Sequence, residues 1–124
     1  MFERLRQGDF GEREVGWLVR VSQESLDRTP PEVYCEALID GRLEVYRAFD
    51  KGLIGISKTD PVLWLEFIVG RRLLDQHTPE IVAWLREQAA GRRIEALSHK
   101  APMTRRMIAA GFQSKAQHLR LSDA

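Results

Sequence analysis

The longest apolar stretch in the chain is VLWLEFIV, residues 62–69, interrupted only by Glu66. A run of this length, bounded by Asp60-Pro61 and Gly70, predicts a central strand covered on both faces, as in a sheet flanked by helices. Before it, residues 12–25 place Val15, Leu18 and Val19 on one helical face, with Trp17 and Val21 nearby. Gly16 weakens that helix by about 1 kcal/mol relative to Ala. The next segment is marked at both ends. Thr29 can cap it, Pro30 suits the first helical position, Glu32 completes a T-x-x-E box, and Gly41 supplies a left-handed stop. Val33, Ala37 and Leu38 then share a face. A hairpin reading of VYCEALI-DG-RLEVYRAF competes, because Asp-Gly between alternating runs is a strong turn signal. The Pro-Pro-Glu start and the Gly stop agree with each other, which favours the helix.

Leu43, Val45 and Arg47 alternate with Glu44, Tyr46 and Ala48, predicting a half-buried strand that ends near Phe49. Asp50-Lys51-Gly52 reads as a turn and residues 53–58 as a short strand in which Gly55 marks a bulge. After the apolar run, Thr78 and Pro79 repeat the cap-then-proline start. Ile81, Val82, Leu85 and Ala89 form an apolar stripe, and Gly91 ends the helix. A strand at 94–98, a helix at 104–110 and a last strand around His118–Leu121 complete the chain, while residues 1–10 form a strand or an irregular lead-in. The predicted class is α/β of the mixed α+β kind: antiparallel central strands, a helical crossover and helices on both faces. Residues 1–124 read as one domain, with 1–29 as an N-terminal helical segment.

Composition changes this picture little. At 44% hydrophobic and 30% charged residues, with a formal net charge of +1, the chain resembles an ordinary globular protein. The first 61 residues hold 9 Lys/Arg against 12 Asp/Glu, and the remainder 10 against 6. The single cysteine, Cys35, excludes an internal disulfide and a multi-cysteine metal site, and it fits a reducing compartment. No stretch reaches the roughly 18 apolar residues of a membrane span. The charged N-terminus, MFERLRQGDFGERE, is not a secretory signal, so a cytoplasmic protein is expected.

Candidate chemistry is sparse. His77, His99 and His118 are scattered without metal-ligand spacing, and no hydrolase, metalloprotease, Walker or dinucleotide motif is present. Glu66 is the one charge in the central strand. There it can face a cleft as a general base or pair with an arginine at the sheet margin. Arg71, Arg72, Arg92, Arg93, Lys100, Arg105 and Arg106 sit at element ends, where some could converge on an anion. No aromatics interleave with them, which disfavours nucleic acid. Trp17, Trp64 and Trp84 occupy apolar positions and read as core.

The segments PPEVYCEALIDGRLEVY, VLWLEFIVGRRLL and EIVAWLREQAAGRRIEAL, followed by a small helix ending in Gly111-Phe112, occur in a telling order. Over residues 30–121 that order resembles the GNAT acetyltransferase fold, in a form close to the short GNAT-like proteins of tailed phages and prophages. The resemblance implies a loop after the apolar strand carrying Q/R-x-x-G-x-G/A, whose amides cradle the pyrophosphate of coenzyme A. Here Gly70, Arg71 and Arg72 occupy that place, and residues 73–78 supply no second glycine. The family's frequent general-acid tyrosine, four residues before the terminal glycine, is Met107. Glu66 falls where the family often places a base. With two of three functional elements absent, the expectation is a degenerate member, without a cofactor, in the host cytoplasm or virion. It would bind protein partners such as phage structural proteins, and not nucleic acid or membrane. The alternative is a divergent N-acyltransferase using acetyl-CoA, with Glu66 as base and Gly70, Arg71 and Arg72 at the phosphates.

Overall fold

The computed structural model describes residues 1–24, 29–70, 72–97, 105, 107–109, 111–115 and 118–121. Its strands are β1 (Phe2–Leu5), β2 (Glu44–Ala48), β3 (Gly52–Lys58), β4 (Val62–Val69), β5 (Arg93–Leu97), β6 (Phe112–Lys115) and β7 (His118–Leu121). The helices are α1 (Glu12–Glu24), α2 (Pro31–Ile39) and α3 (Leu73–Ala89), and a 3-10 turn at Gln7–Asp9 precedes α1. Arg105 and residues 107–109 are also helical. One seven-stranded sheet runs β1-β2-β3-β4-β5-β7-β6. Every pairing is antiparallel except β4 with β5, which α3 joins as a crossover. The mixed sheet with antiparallel central strands agrees with the class read from the sequence. β6 was not anticipated, because FQSK carries no alternating apolar pattern.

Two hydrophobic layers sandwich the sheet. One collects Tyr46, Ile54, Ile56, Leu63 and Leu65 against Leu73, Ile81, Trp84 and Leu85 of α3, together with Met107, Phe112 and Leu119. The other collects Val45, Leu53, Phe67 and Val69 against Leu18 and Val21 of α1 and the half-buried Tyr34, Ala37 and Leu38 of α2. β2 is therefore covered on both faces, since Val45 and Tyr46 enter opposite layers; the half-buried reading of that strand is corrected.

The long apolar run of β4 has a specific cause. Gly55 pairs with Phe67, but Ile56 pairs with Leu65, leaving Glu66 as an extra residue in β4. Strand side chains alternate with a period of two, so one inserted residue flips the parity of the rest of the strand. Leu63 and Leu65 accordingly enter the α3 layer, whereas Phe67 and Val69 enter the α1–α2 layer. The bulge foreseen at Gly55 lies across from it. Gly55 is required because a Cβ there would stand 2.3 Å from Phe67 Cε2.

The helices depart from their expected faces and caps. In α1 the buried positions are Glu14, Leu18, Val21 and Ser22, while Val15 is 48% and Val19 37% exposed. Glu14 tolerates burial because it accepts bonds from the Gly11 amide (3.0 Å) and Arg13 Nε (3.2 Å), with Arg47 Nη1 at 3.5 Å. α2 starts at Pro31, one residue late, with Pro30 as an extended cap and no side-chain capping bond, so the Thr29–Glu32 box does not form. A residue preceding proline is kept out of the helical region, which holds Pro30 extended. Its end is as expected: Gly41 (φ 78) donates to the Leu38 carbonyl and Arg42 to Ala37, a Schellman closure that excludes the hairpin. α3 begins at Leu73 and not at Thr78, because Leu73 and Leu74 are buried and extend the apolar stripe by a turn. Pro79 cannot continue the ladder, and the helix kinks at His77 (φ −129, ψ 24). The cap-and-proline signal thus marks an internal restart.

Candidate functional site

Parallel pairing of β4 with β5 begins at Val62–Arg93 and stops at Leu65–Ala96. Beyond it, β4 continues through Val69, hydrogen-bonded on the β3 side only among the described residues. This leaves a notch at the carboxyl ends of two parallel strands, the location where open α/β sheets receive ligands. Glu66 sits on the bulge at its mouth. Its side chain is exposed and accepts a hydrogen bond from Ser57 Oγ at 2.8 Å. The sequence reading offered a cleft carboxylate or an arginine partner; the geometry gives an exposed carboxylate held by a hydroxyl of β3. Phe67, next in the chain, carries the Tyr34 ring edge-on at 5.7 Å.

Residues 70–72 alone connect β4 to α3. Gly70 has φ 137, a conformation open only to glycine. A Cβ there would lie 2.5 Å from the Lys51 carbonyl oxygen and 2.6 Å from Gly52 Cα. Gly52 is equally confined: its Cβ would meet the Val69 carbonyl oxygen at 2.0 Å. The two glycines exist for each other, letting the start of β3 cross the end of β4. Gly52 is therefore the first residue of β3 and not the tip of the turn. The turn is closed by the Lys51 amide donating to Ala48 O (2.9 Å), with Phe49 (φ 53) and Asp50 (φ 57) at its centre.

Arg72 is exposed and left-handed (φ 60), and the Leu73 amide turns back onto the Gly70 carbonyl at 3.4 Å. Asp75 in the first turn of α3 already supplies the negative charge that a helix N-terminus favours. Arg71 lies outside the described residues. A pyrophosphate cradle needs amides free to point outward and a backbone bare enough for close approach; in the described part of the connection the Leu73 amide is turned back on the chain.

Behind the connection, Lys51 Nζ donates to Gln76 Oε1 and lies 3.0 Å from His77 Nε2, while the His77 ring stacks on Phe49 at 3.8 Å. An ammonium only donates, so Nε2 accepts. His77 Nδ1 is buried and has no hydrogen-bond partner among the described residues. Sequence reading missed this cluster because its members come from two distant segments. Asp50 pairs with Arg13 at 2.5 Å, and that bond holds its carboxyl below the usual range. Burial alone would raise Glu14, but bonds from Arg13 and the Gly11 amide outweigh it and hold that carboxyl low. Burial, aided by the Glu44 carboxylate at 2.8 Å, pushes Tyr46 up to about 12.

Among the described residues, Arg72 lies apart from Arg92 and Arg93. Arg72 follows the carboxyl end of β4, whereas Arg92 and Arg93 open β5 beside Pro61, at the other end of the parallel pair. About eight strand residues, roughly 25 Å, separate the two groups. Arg105 is exposed; Lys100 and Arg106 lie outside the described residues. Of the residues considered for an anion site, Arg71, Lys100 and Arg106 are thus not described, and Arg72 is separated from Arg92 and Arg93. Met107 is 4% exposed and packs in the α3 layer, so its thioether belongs to the core. Trp84 is core, as expected, while Trp17 and Trp64 are only half-buried. Among the described residues no group of His, Cys, Asp or Glu could hold a metal, and no helix is long and apolar enough to cross a membrane.

Solved structures share this architecture. A protein of Desulfovibrio desulfuricans described as a GNAT-family acetyltransferase superposes with a TM-score of 0.67 at 17% identity, covering 100% of this chain and 99% of its own. The PaiA N-acetyltransferase of Thermoplasma acidophilum, in complex with coenzyme A, matches at 0.59 and 8% identity over 97% and 96% of the chains. A GNAT-family acetyltransferase of Bacillus cereus matches at 0.54 and 10% identity over 97% and 93%. No protein-family model matches the sequence, and no curated protein does. The chain has the GNAT acetyltransferase fold.

Proposed function

We propose that this chain is a catalytically degenerate GNAT-fold protein that acts by binding a protein partner. The observation that carries the reading is the use of Gly70. The one glycine available to a phosphate loop is committed to its contact with Gly52, and the Leu73 amide beyond it is turned inward. A core methionine at position 107, where the resemblance implies a proton donor, argues the same way. The sequence segments favour a phage or prophage protein, and within that setting a virion-associated or assembly role. Calorimetry with acetyl-CoA tests the degenerate reading: it expects no saturable heat, and micromolar binding would overturn it. Mass spectrometry of purified particles tests the virion role, which absence from them would exclude.

One observation favours a second reading, a divergent acyl-CoA-dependent N-acyltransferase. The bulge holds Glu66 at the mouth of the notch, and the edge of β4 that is unpaired among the described residues could hydrogen-bond an extended amide chain as an added strand would. In that case Glu66 would take the proton from the acceptor amine. Glu66→Gln would then abolish turnover without moving the melting temperature, and unchanged turnover in the variant would reject this reading.

A further inference from the structure

We propose that α2 is a gate over the Glu66–Phe67 bulge, opening as a local unit while the sheet remains folded. α1 and α3 each bury several side chains, but α2 buries none along Pro31–Ile39. Two of its apolar residues face solvent, Val33 at 46% and Ile39 at 60% exposure. Its hold on the sheet is limited to the half-buried Tyr34, Ala37 and Leu38, and the first of these meets Phe67 edge-on at 5.7 Å. Pro30 gives its N-terminus no side-chain cap.

A helix this short is marginal in water without tertiary support, and segments with few buried apolar contacts open at free energies below that of global unfolding. At its other end, the Schellman closure on Gly41 and the Leu43 amide bonded to the Ala37 carbonyl tie α2 to the residue that precedes β2, which is fixed in the sheet, so the helix can lift about that turn. Beneath it lies Phe67, whose ring fills the space above Gly55 and whose neighbour is the exposed Glu66. Lifting α2 would therefore bare an apolar floor directly beside the Glu66 carboxylate. Such opening does not depend on which ligand or partner the notch receives.

Two measurements on the 124-residue chain test it. In hydrogen-exchange mass spectrometry of the unaltered protein, amides of α2 should exchange at least a hundredfold faster than those of β3 and β4, at a rate insensitive to low urea. In a Cys35→Ser/Phe67→Cys variant, the thiol beneath α2 should react with a disulfide reagent at a rate likewise insensitive to low urea, and adding Tyr34→Ala should accelerate it. If α2 exchanges with the rate and urea dependence of β3 and β4, there is no local opening and the gate is refuted. A thiol at position 67 that reacts as fast as in an unfolded control would refute it as well, because the floor would not then be covered.

Discussion

Replacing Gly70 by alanine tests the assignment of that residue to packing. The added Cβ would stand 2.5 Å from the Lys51 carbonyl oxygen and 2.6 Å from Gly52 Cα, both backbone atoms that cannot rotate away. A second cost is conformational, since φ 137 is not open to an alanine without strain. Backbone strain of this kind costs about 1–3 kcal/mol and overpacking about 1–3 kcal/mol, so together about 2–6 kcal/mol. Domains of this size are stable by about 5–15 kcal/mol, which makes the loss large. With a urea dependence of about 1–3 kcal/mol per molar, the unfolding midpoint should fall by about 1–3 M. Gly52→Ala should be comparably severe, its Cβ meeting the Val69 carbonyl oxygen at 2.0 Å. Because the two substitutions break one contact, the double variant should lose less than the sum of the singles. A Gly70→Ala midpoint within about 0.3 M of the unaltered protein would refute the reasoning. Residue 70 would then have room beside it, and its glycine would be free for a ligand.

Other expectations concern charge and core. Tyr46 has its pKa raised from 10.0 to about 12 by burial and by Glu44, so its contribution to stability is complete below pH 10 and is lost as the pH rises toward 12. Tyrosinate absorbance should show a late-titrating group that Tyr46→Phe removes. The Asp50 carboxyl is held below its ordinary 3.8 by Arg13, so its contribution is present above that value and lost as the pH falls through the lowered one. Melting temperature against pH should fall in acid, and Asp50→Asn should flatten that limb. Leu85→Ala, at 1% exposure under α3, should cost about 2–5 kcal/mol in a denaturant melt. Glu66→Gln, exposed and bonded to Ser57 alone among the described residues, should change stability by no more than about 0.5 kcal/mol by the same melt.

Much of the fold was legible. Val62–Val69 matches its predicted strand at both ends, and Gly41 stops α2 as its sequence implies. The features that escaped reading share a cause: one residue decides a geometry that composition does not record. An inserted Glu66 flips the parity of β4, so its apolar run reflects a change of layer as well as two-sided cover. The α1 face was misjudged because Glu14 is buried through arginine partners, Arg47 among them from β2, far away in sequence. The early start of α3 was hidden by a genuine cap signal at Thr78, which turned out to mark a kink. At the candidate site, Glu66 could be picked out as the one charge in an apolar strand. The pairing of Gly70 with Gly52, and of Lys51 with His77, depends on the crossing of two turns, and no local pattern carries that.

On the proposed reading, the β4–α3 connection serves packing and not a phosphate. Amide chemical shifts of labelled protein titrated with acetyl-CoA test it most directly, because they report on residues 70, 72, 73 and 74 individually. On that reading these four amides stay in place up to millimolar ligand. Saturable shifts centred on Gly70 and Leu73, with a micromolar midpoint, would contradict it.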